Sequence, residues 1–271
     1  MQSVRAIFRA FSLLCLSAPL FLDSCATSPT GRKQLMIVPD SEVNQLGIQS
    51  FDQMKQQVKI SHNAKQIKFV QCVADAVIAA AHGKPNIPDQ WEVTLFNTPD
   101  VNAFALPGGR IGVYSGILKV TKTDGQLAAV LAHEVGHVIS RHGAERMSQS
   151  VAEQGGLIAV GAATNNSPYI GAALGLGTQY GIILPFSRTQ EREADEVGLQ
   201  LMAEAGFDPH QAIELWKNME EASGGNRPPE LLSDHPSDPN RIQDLESHMN
   251  DAVARYEQAN AAGKAPHCPH P

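Results

Sequence analysis

Concentrated positive charge is missing from this chain. Its 21 Lys and Arg are outnumbered by 28 Asp and Glu, for a formal net charge of −7 over 271 residues. No Lys/Arg-rich block occurs, so a nucleic-acid partner, whose phosphates need a dense basic patch, is not expected. Long apolar runs are missing too. Residues 155–185 are rich in Gly, Ala, Leu and Ile but are broken at Thr164-Asn165-Asn166-Ser167-Pro168 and again at Thr178-Gln179-Tyr180. They read as two close-packed helices, or alternatively as a flap or membrane-surface contact, rather than a bilayer span. No repeat with the period of about 34 residues that marks tetratricopeptide arrays is visible, so no large docking platform is expected. What remains, 42% hydrophobic and 18% charged residues, is ordinary globular composition for one or two domains.

Cysteine is scarce, with four in all. One, Cys15, falls in the N-terminal leader, where Arg5 and Arg9 precede an apolar segment, residues 10–22, too short to cross a bilayer comfortably, and a second, Cys25, follows that leader. Residues 1–24 read as a signal peptide. Leu22-Asp23-Ser24-Cys25 resembles a bacterial lipobox, with Asp23 unusual, and makes Cys25 the lipidated first residue of the mature chain. Ala26 rather than Asp follows, which favours the outer membrane, facing the periplasm, over the inner membrane. A plain secretory signal or an uncleaved anchor is the alternative. Residues 25–40 read as a lipidated N-terminus and tether, 41–260 as the folded domain and 261–271 as a flexible tail. Cys72 and Cys268 are the remaining thiols; they form either a disulfide or, at Cys72, a buried free thiol, and neither has zinc-site spacing.

The strongest pattern is His133-Glu134-Val135-Gly136-His137, set in the apolar run Leu127-Ala128-Ala129-Val130-Leu131-Ala132. In a helix the two histidines sit one turn apart on one face and can hold one zinc ion, while Glu134 can take a proton from a zinc-bound water. Thr123 or Asp124 caps the helix start. His142 falls off the face of the pair and reads as structural.

Before this helix the period changes. Residues 91–96 alternate as a strand, and residues 101–114 read as two short strands around Pro107-Gly108-Gly109. This predicts a small antiparallel sheet beside the zinc helix, whose free edge at Asn102, Ala103 and Phe104 can pair with an extended peptide; a hairpin that merely packs on the helices is the alternative. Helices are expected from Ser41, over residues 63–81 with Ile67, Val70, Val73, Ala74, Val77 and Ala81 facing the core, over 212–219, and from Arg241 to Gln258. A further helix capped by Ser187 carries Glu191 and Asp195 four apart, so Glu191 can reach a metal while Asp195 receives an imidazole N–H, whereas Glu193 points elsewhere. An acidic helix is equally a solvated face.

Taken together, Asn102-Ala103-Phe104-Ala105-Leu106-Pro107-Gly108-Gly109, the His133 to His137 motif, and Ser187-Arg188 with Glu191 and Asp195 resemble the gluzincin zinc metallopeptidases, the family of HtpX and the zinc-type CaaX prenyl protease. The layout is most similar to its small bacterial lipoprotein branch, of which LoiP is typical. The resemblance spans residues 32–250 and implies an α+β, mostly helical metallopeptidase domain with one Zn2+ per chain. It implies that His133, His137 and Glu191 bind the metal, that Glu134 is the general base and acid, and that Asp195 supports a ligand from behind. It also implies that His235 stabilises the oxyanion or fills the open zinc position in a closed state, and that Arg241 orients its segment; a solvated surface histidine is the alternative. The expected function is an envelope endopeptidase acting on unfolded or damaged polypeptides, with envelope protein partners. The alternative is a latent metalloprotein serving as an assembly factor or chaperone.

Overall fold

A computed structural model describes residues 25–161, 186–223, 235 and 240–271. The expected leader at 1–24, most of the 155–185 segment and most of the 224–239 loop lie outside the described residues. Among the described residues, no helix is long and apolar enough to cross a membrane.

The described residues open with a hairpin, β1 (Cys25–Thr27) against β2 (Lys33–Leu35). Helix α1 (Asp40–Gln57) follows, starting one residue before the expected Ser41 and without a side-chain cap. In α2 (Ala64–Ala81), Asn63 accepts hydrogen bonds from the N–H groups of Lys65 and Gln66. Its buried stripe is the expected one from Val70 to Ala81 with Phe69 added. Ile67, expected inside, is 39% exposed because it lies on the first turn, before the helix reaches the core.

Strands β3 (Glu92–Phe96), β4 (Ala103–Leu106) and β5 (Arg110–Tyr114) form a sheet in the order β3-β5-β4. The sheet expected to be antiparallel is mixed. β4 and β5 are an antiparallel hairpin, but β5 sits in the middle and runs parallel to β3. The chain between β3 and β4 therefore passes over the place of β5 and leaves β4 as an open edge. Phe51 of α1 meets Phe96 and Phe104 at ring-centroid distances of 6.0 and 6.2 Å, fixing that helix to the sheet.

Helix α3 (Asp124–Ile139) carries the His133 motif and is buried on nearly every side, which explains its apolar run. Thr123 caps it by accepting the Gln126 N–H, while the Gln126 side chain reaches the Lys122 N–H instead of closing a capping box. A left-handed Arg141 (φ 55°) separates α3 from α4 (His142–Gly161). Then come α5 (Arg188–Glu204), opened by a full capping box between Ser187 and Gln190, α6 (His210–Ser223) and α7 (Arg241–Ala261). The domain is α+β and mostly helical, with α2, α3, α5, α6 and α7 sharing the main core.

Where α3 and α5 cross, two glycines let the backbones touch. A Cβ on Gly198 would lie 2.8 Å from the His133 nitrogen, and one on Gly136 2.9 Å from the Ala194 oxygen. This contact sets the face bearing Glu191 and Asp195 against the face bearing the two histidines.

Both ends depart from expectation. The supposed tether is docked: Arg32 reaches Glu145 and Glu193, and the Gln34 amide donates to the Ser140 carbonyl at 2.7 Å. The supposed loose tail is held by a Cys72–Cys268 disulfide, with Cys268 buried and His270 bonded to the Thr121 carbonyl at 2.8 Å. Polar linker composition hides such docking because single long-range bonds leave no periodicity in a sequence.

Candidate metal centre

His133 and His137 project one turn apart from α3, and Glu191 faces them from α5. The two Nε2 atoms are 3.1 Å apart; Glu191 Oε1 is 3.4 Å from His137 Nε2, and its Oε2 is 3.5 Å from His133 Nε2. His235 enters the same cluster, with Nδ1 2.9 Å from Glu191 Oε1 and 3.2 Å from His133 Nε2. One donor atom from each of the four buried residues lies within 4.8 Å of the others.

The donors fit a metal. Three imidazoles and a carboxylate are the nitrogen and oxygen set that zinc accepts. Glu191 Oε2 and Glu134 Oε1 are buried without a hydrogen-bond partner among the described residues, a costly state that a cation and its ligands would relieve. The electrostatics of Glu191 and His137 agree with this. Burial works against the charge of Glu191, yet His133, His137 and His235 together hold its carboxyl far below the usual range. Burial also pulls His137 well below its ordinary value, leaving the neutral ring that metals bind. His133 differs: burial opposes its charge, but Asp195 and Glu191 outweigh it and lift the ring to about 9, so a metal binding there must displace its proton.

Behind His133, Nδ1 lies 2.9 Å from Asp195 Oδ1, and Arg241 Nη2 donates to the same oxygen at 2.6 Å. The Arg241 guanidinium carbon lies over Trp216, 3.5 Å from the ring centroid. The structure thus places Arg241 behind a histidine through Asp195. His142, at the start of α4, faces His137, and Glu193, off the face of Glu191 and Asp195 as its spacing suggested, reaches His142.

Glu134 borders both the cluster and a cleft of about 220 Å³. Its Oε2 accepts the Ala105 N–H at 3.2 Å, and its Oε1 is 3.4 Å from His235 Nε2. Burial raises its carboxyl above the usual value, against the opposing pull of His235 and His133. Edge strand β4 and the Pro107 that follows it form one wall of the cleft, and the Phe186 ring lies over His137 at a centroid distance of 3.8 Å, tilted by 30°.

Seven of the residues singled out in sequence therefore meet: His133, Glu134, His137, Glu191, Asp195, His235 and Arg241. Asn102, Ala103 and Phe104 lie on or beside the open edge. Asn102 Oδ1 takes the Ala103 N–H, and Phe104 turns its ring toward Phe51, Phe96 and Tyr114. Cys25 opens strand β1. The sequence reading missed Ala105, whose N–H aims at Glu134, and Phe186; strand alternation around Ala103 was the available signal for the first.

A family model for peptidase family M48 matches residues 64–249. Mitochondrial metalloendopeptidase OMA1 of Schizosaccharomyces pombe is 38% identical over 172 residues, covering 63% of this chain and 50% of that protein. The Beta-barrel assembly-enhancing protease of Escherichia coli (strain K12) is 29% identical over 244 residues, covering 86% of this chain and 49% of that protein. Metalloendopeptidase OMA1 of Bos taurus is 30% identical over 246 residues, covering 85% of this chain and 47% of that protein. The chain spans about half the length of these relatives.

Proposed function

The chain belongs to peptidase family M48, and we propose that it is a zinc-dependent endopeptidase that cleaves unfolded or damaged polypeptides in the bacterial cell envelope. The observation that carries this reading is the meeting of His133, His137 and Glu191 with Glu134 at the foot of an open strand edge.

In this reading His133, His137 and Glu191 hold one zinc ion, which supplies Lewis-acid polarisation of the scissile carbonyl and makes water a stronger acid. An extended substrate pairs with β4, exchanging the Asn102 side chain for its own carbonyl at the Ala103 N–H. The Ala105 N–H keeps Glu134 oriented through Oε2, leaving Oε1 to accept the proton of the attacking water. Glu134 then passes that proton to the leaving amine.

His235 supports a second reading of the same site. A zinc site with four protein donors has no open position, so His235 inside the cluster corresponds to a closed form, and cleavage requires its withdrawal. A mainly latent protein aiding envelope assembly is the alternative this favours, and the name of the Escherichia coli relative is in keeping with it. We place the protein at the outer membrane facing the periplasm, anchored through lipid on Cys25. The leader pattern and Ala26 support this, as does a disulfide that needs an oxidising compartment.

The test is Glu134→Gln. The variant should still bind one zinc per chain, while cleavage of a reduced, unfolded test protein falls by about 10²- to 10⁴-fold. A folded, zinc-loaded variant that cleaves at the wild-type rate would overturn the assignment.

A further inference from the structure

Each of the two histidines of the motif needs a fixed ring to aim Nε2 at a metal. For His133 that support is direct, through Asp195. For His137, among the described residues, the contact on the far side is not a carboxylate but His142, whose Nδ1 lies 2.8 Å from His137 Nδ1. A neutral His137 with its lone pair on Nε2, toward His133 and Glu191, carries its proton on Nδ1. His142 must then accept at Nδ1, which puts its own proton on Nε2, 3.0 Å from Glu193 Oε2. Every proton in this chain of contacts has one acceptor, and the direction is set by the metal-facing lone pair.

The relay continues to the N-terminal hairpin. Glu193 Oε2 also accepts from Arg32 Nη2 at 2.9 Å and Nε at 3.0 Å, and Oε1 accepts the Thr30 hydroxyl at 2.7 Å. His142 and Glu193 are both buried. We infer that His142 and Glu193 are positioning residues that hold the His137 ring for metal binding, with Arg32 of the hairpin locking Glu193 in place. The inference rests on the metal reading proposed above and extends it outward from the donors to a part of the chain that touches none of them.

The test is made on the whole protein with zinc alone, titrated against a chelator, and with Co2+ as a visible probe of donor geometry. His142→Leu removes the acceptor and should weaken zinc binding by roughly 10–100-fold and shift the cobalt absorption bands. His142→Gln can accept from His137 and donate to Glu193, so it should recover most of the loss. A folded His142→Leu with wild-type zinc affinity and cobalt spectrum overturns the inference, as does an equal loss in His142→Gln, which would indicate packing alone. Should His142→Leu not fold, Glu193→Gln decides: a weaker zinc affinity is expected, and an unchanged affinity and spectrum overturns the relay. A wild-type protein that binds no zinc would instead remove the metal reading, and this inference with it.

Discussion

His235 is the residue whose replacement says most about how the centre works. Its ring touches Glu191, His133 and Glu134 at once, so it competes both for the metal and for the base. His235→Ala should therefore leave His133, His137 and Glu191 able to hold zinc and raise the rate of peptide cleavage. Turnover assays on zinc-loaded protein would show it, and a loss of turnover with zinc retained would assign His235 to oxyanion stabilisation instead. The two motif histidines were legible in the sequence because a helix converts spacing into direction: His133 and His137 share a face by arithmetic alone, whereas Glu191 was left open by spacing and rested, with His235, on the family resemblance. Of the supporting side chains, Asp195 was legible by the same rule, four residues from Glu191, and Arg241 through the resemblance. His142 and Glu193 were not, since their partners lie on other elements and no spacing rule connects them.

Among the elements, the crossing of α3 and α5 decides whether the centre exists. Gly198→Ala would set a methyl against His133 backbone atoms, which cannot move aside as a flexible side-chain tip can. A cost of about 1–3 kcal/mol is expected, together with weaker zinc binding, because α5 carries Glu191 away with it. Thermal melts with and without chelator separate the two effects: a loss confined to the metal-free protein would argue against the crossing as the cause. The tail is a second element with a measurable role. Joining Cys72 to Cys268 closes a loop across 196 positions, and loop-closure entropy makes that link worth on the order of 5 kcal/mol. Reducing it, or replacing both cysteines with serine, should lower the melting temperature by more than ten degrees, at about 2–4 °C per kcal/mol. Strand and helix identities were readable from periodicity, but the parallel pairing of β3 with β5 was not. Pairing order depends on where the chain crosses, and Asn97 to Asn102 carries no local mark of that.

At the scale of the molecule, a buried polar network joins the first hairpin to α4 and α5. Burial opposes the charges of Glu145 and Glu193, yet Arg32, Gln34 and Gln190 hold the first below the usual carboxylate range, and His142, Thr30 and Arg32 hold the second there. A carboxyl depressed in the folded state contributes stability that is present above its unfolded pKa and is lost as pH falls through the folded one. The urea midpoint should thus hold from neutral pH to about 5 and fall below it, and should fall less in Arg32→Met with Glu193→Gln, where Glu193 no longer titrates and Glu145 has lost its cationic partner. An identical acid profile for that double variant would remove the network from the account. None of this was visible in the composition of residues 25–40, which resembles any polar spacer. Its docking has a spatial consequence. β1 pairs with β2 from Cys25 onward, so no slack chain separates that cysteine from the folded body. With a lipid there, the enzyme would ride directly on the bilayer like a barnacle, not like a buoy on a line, and would reach only chains that emerge at the membrane face.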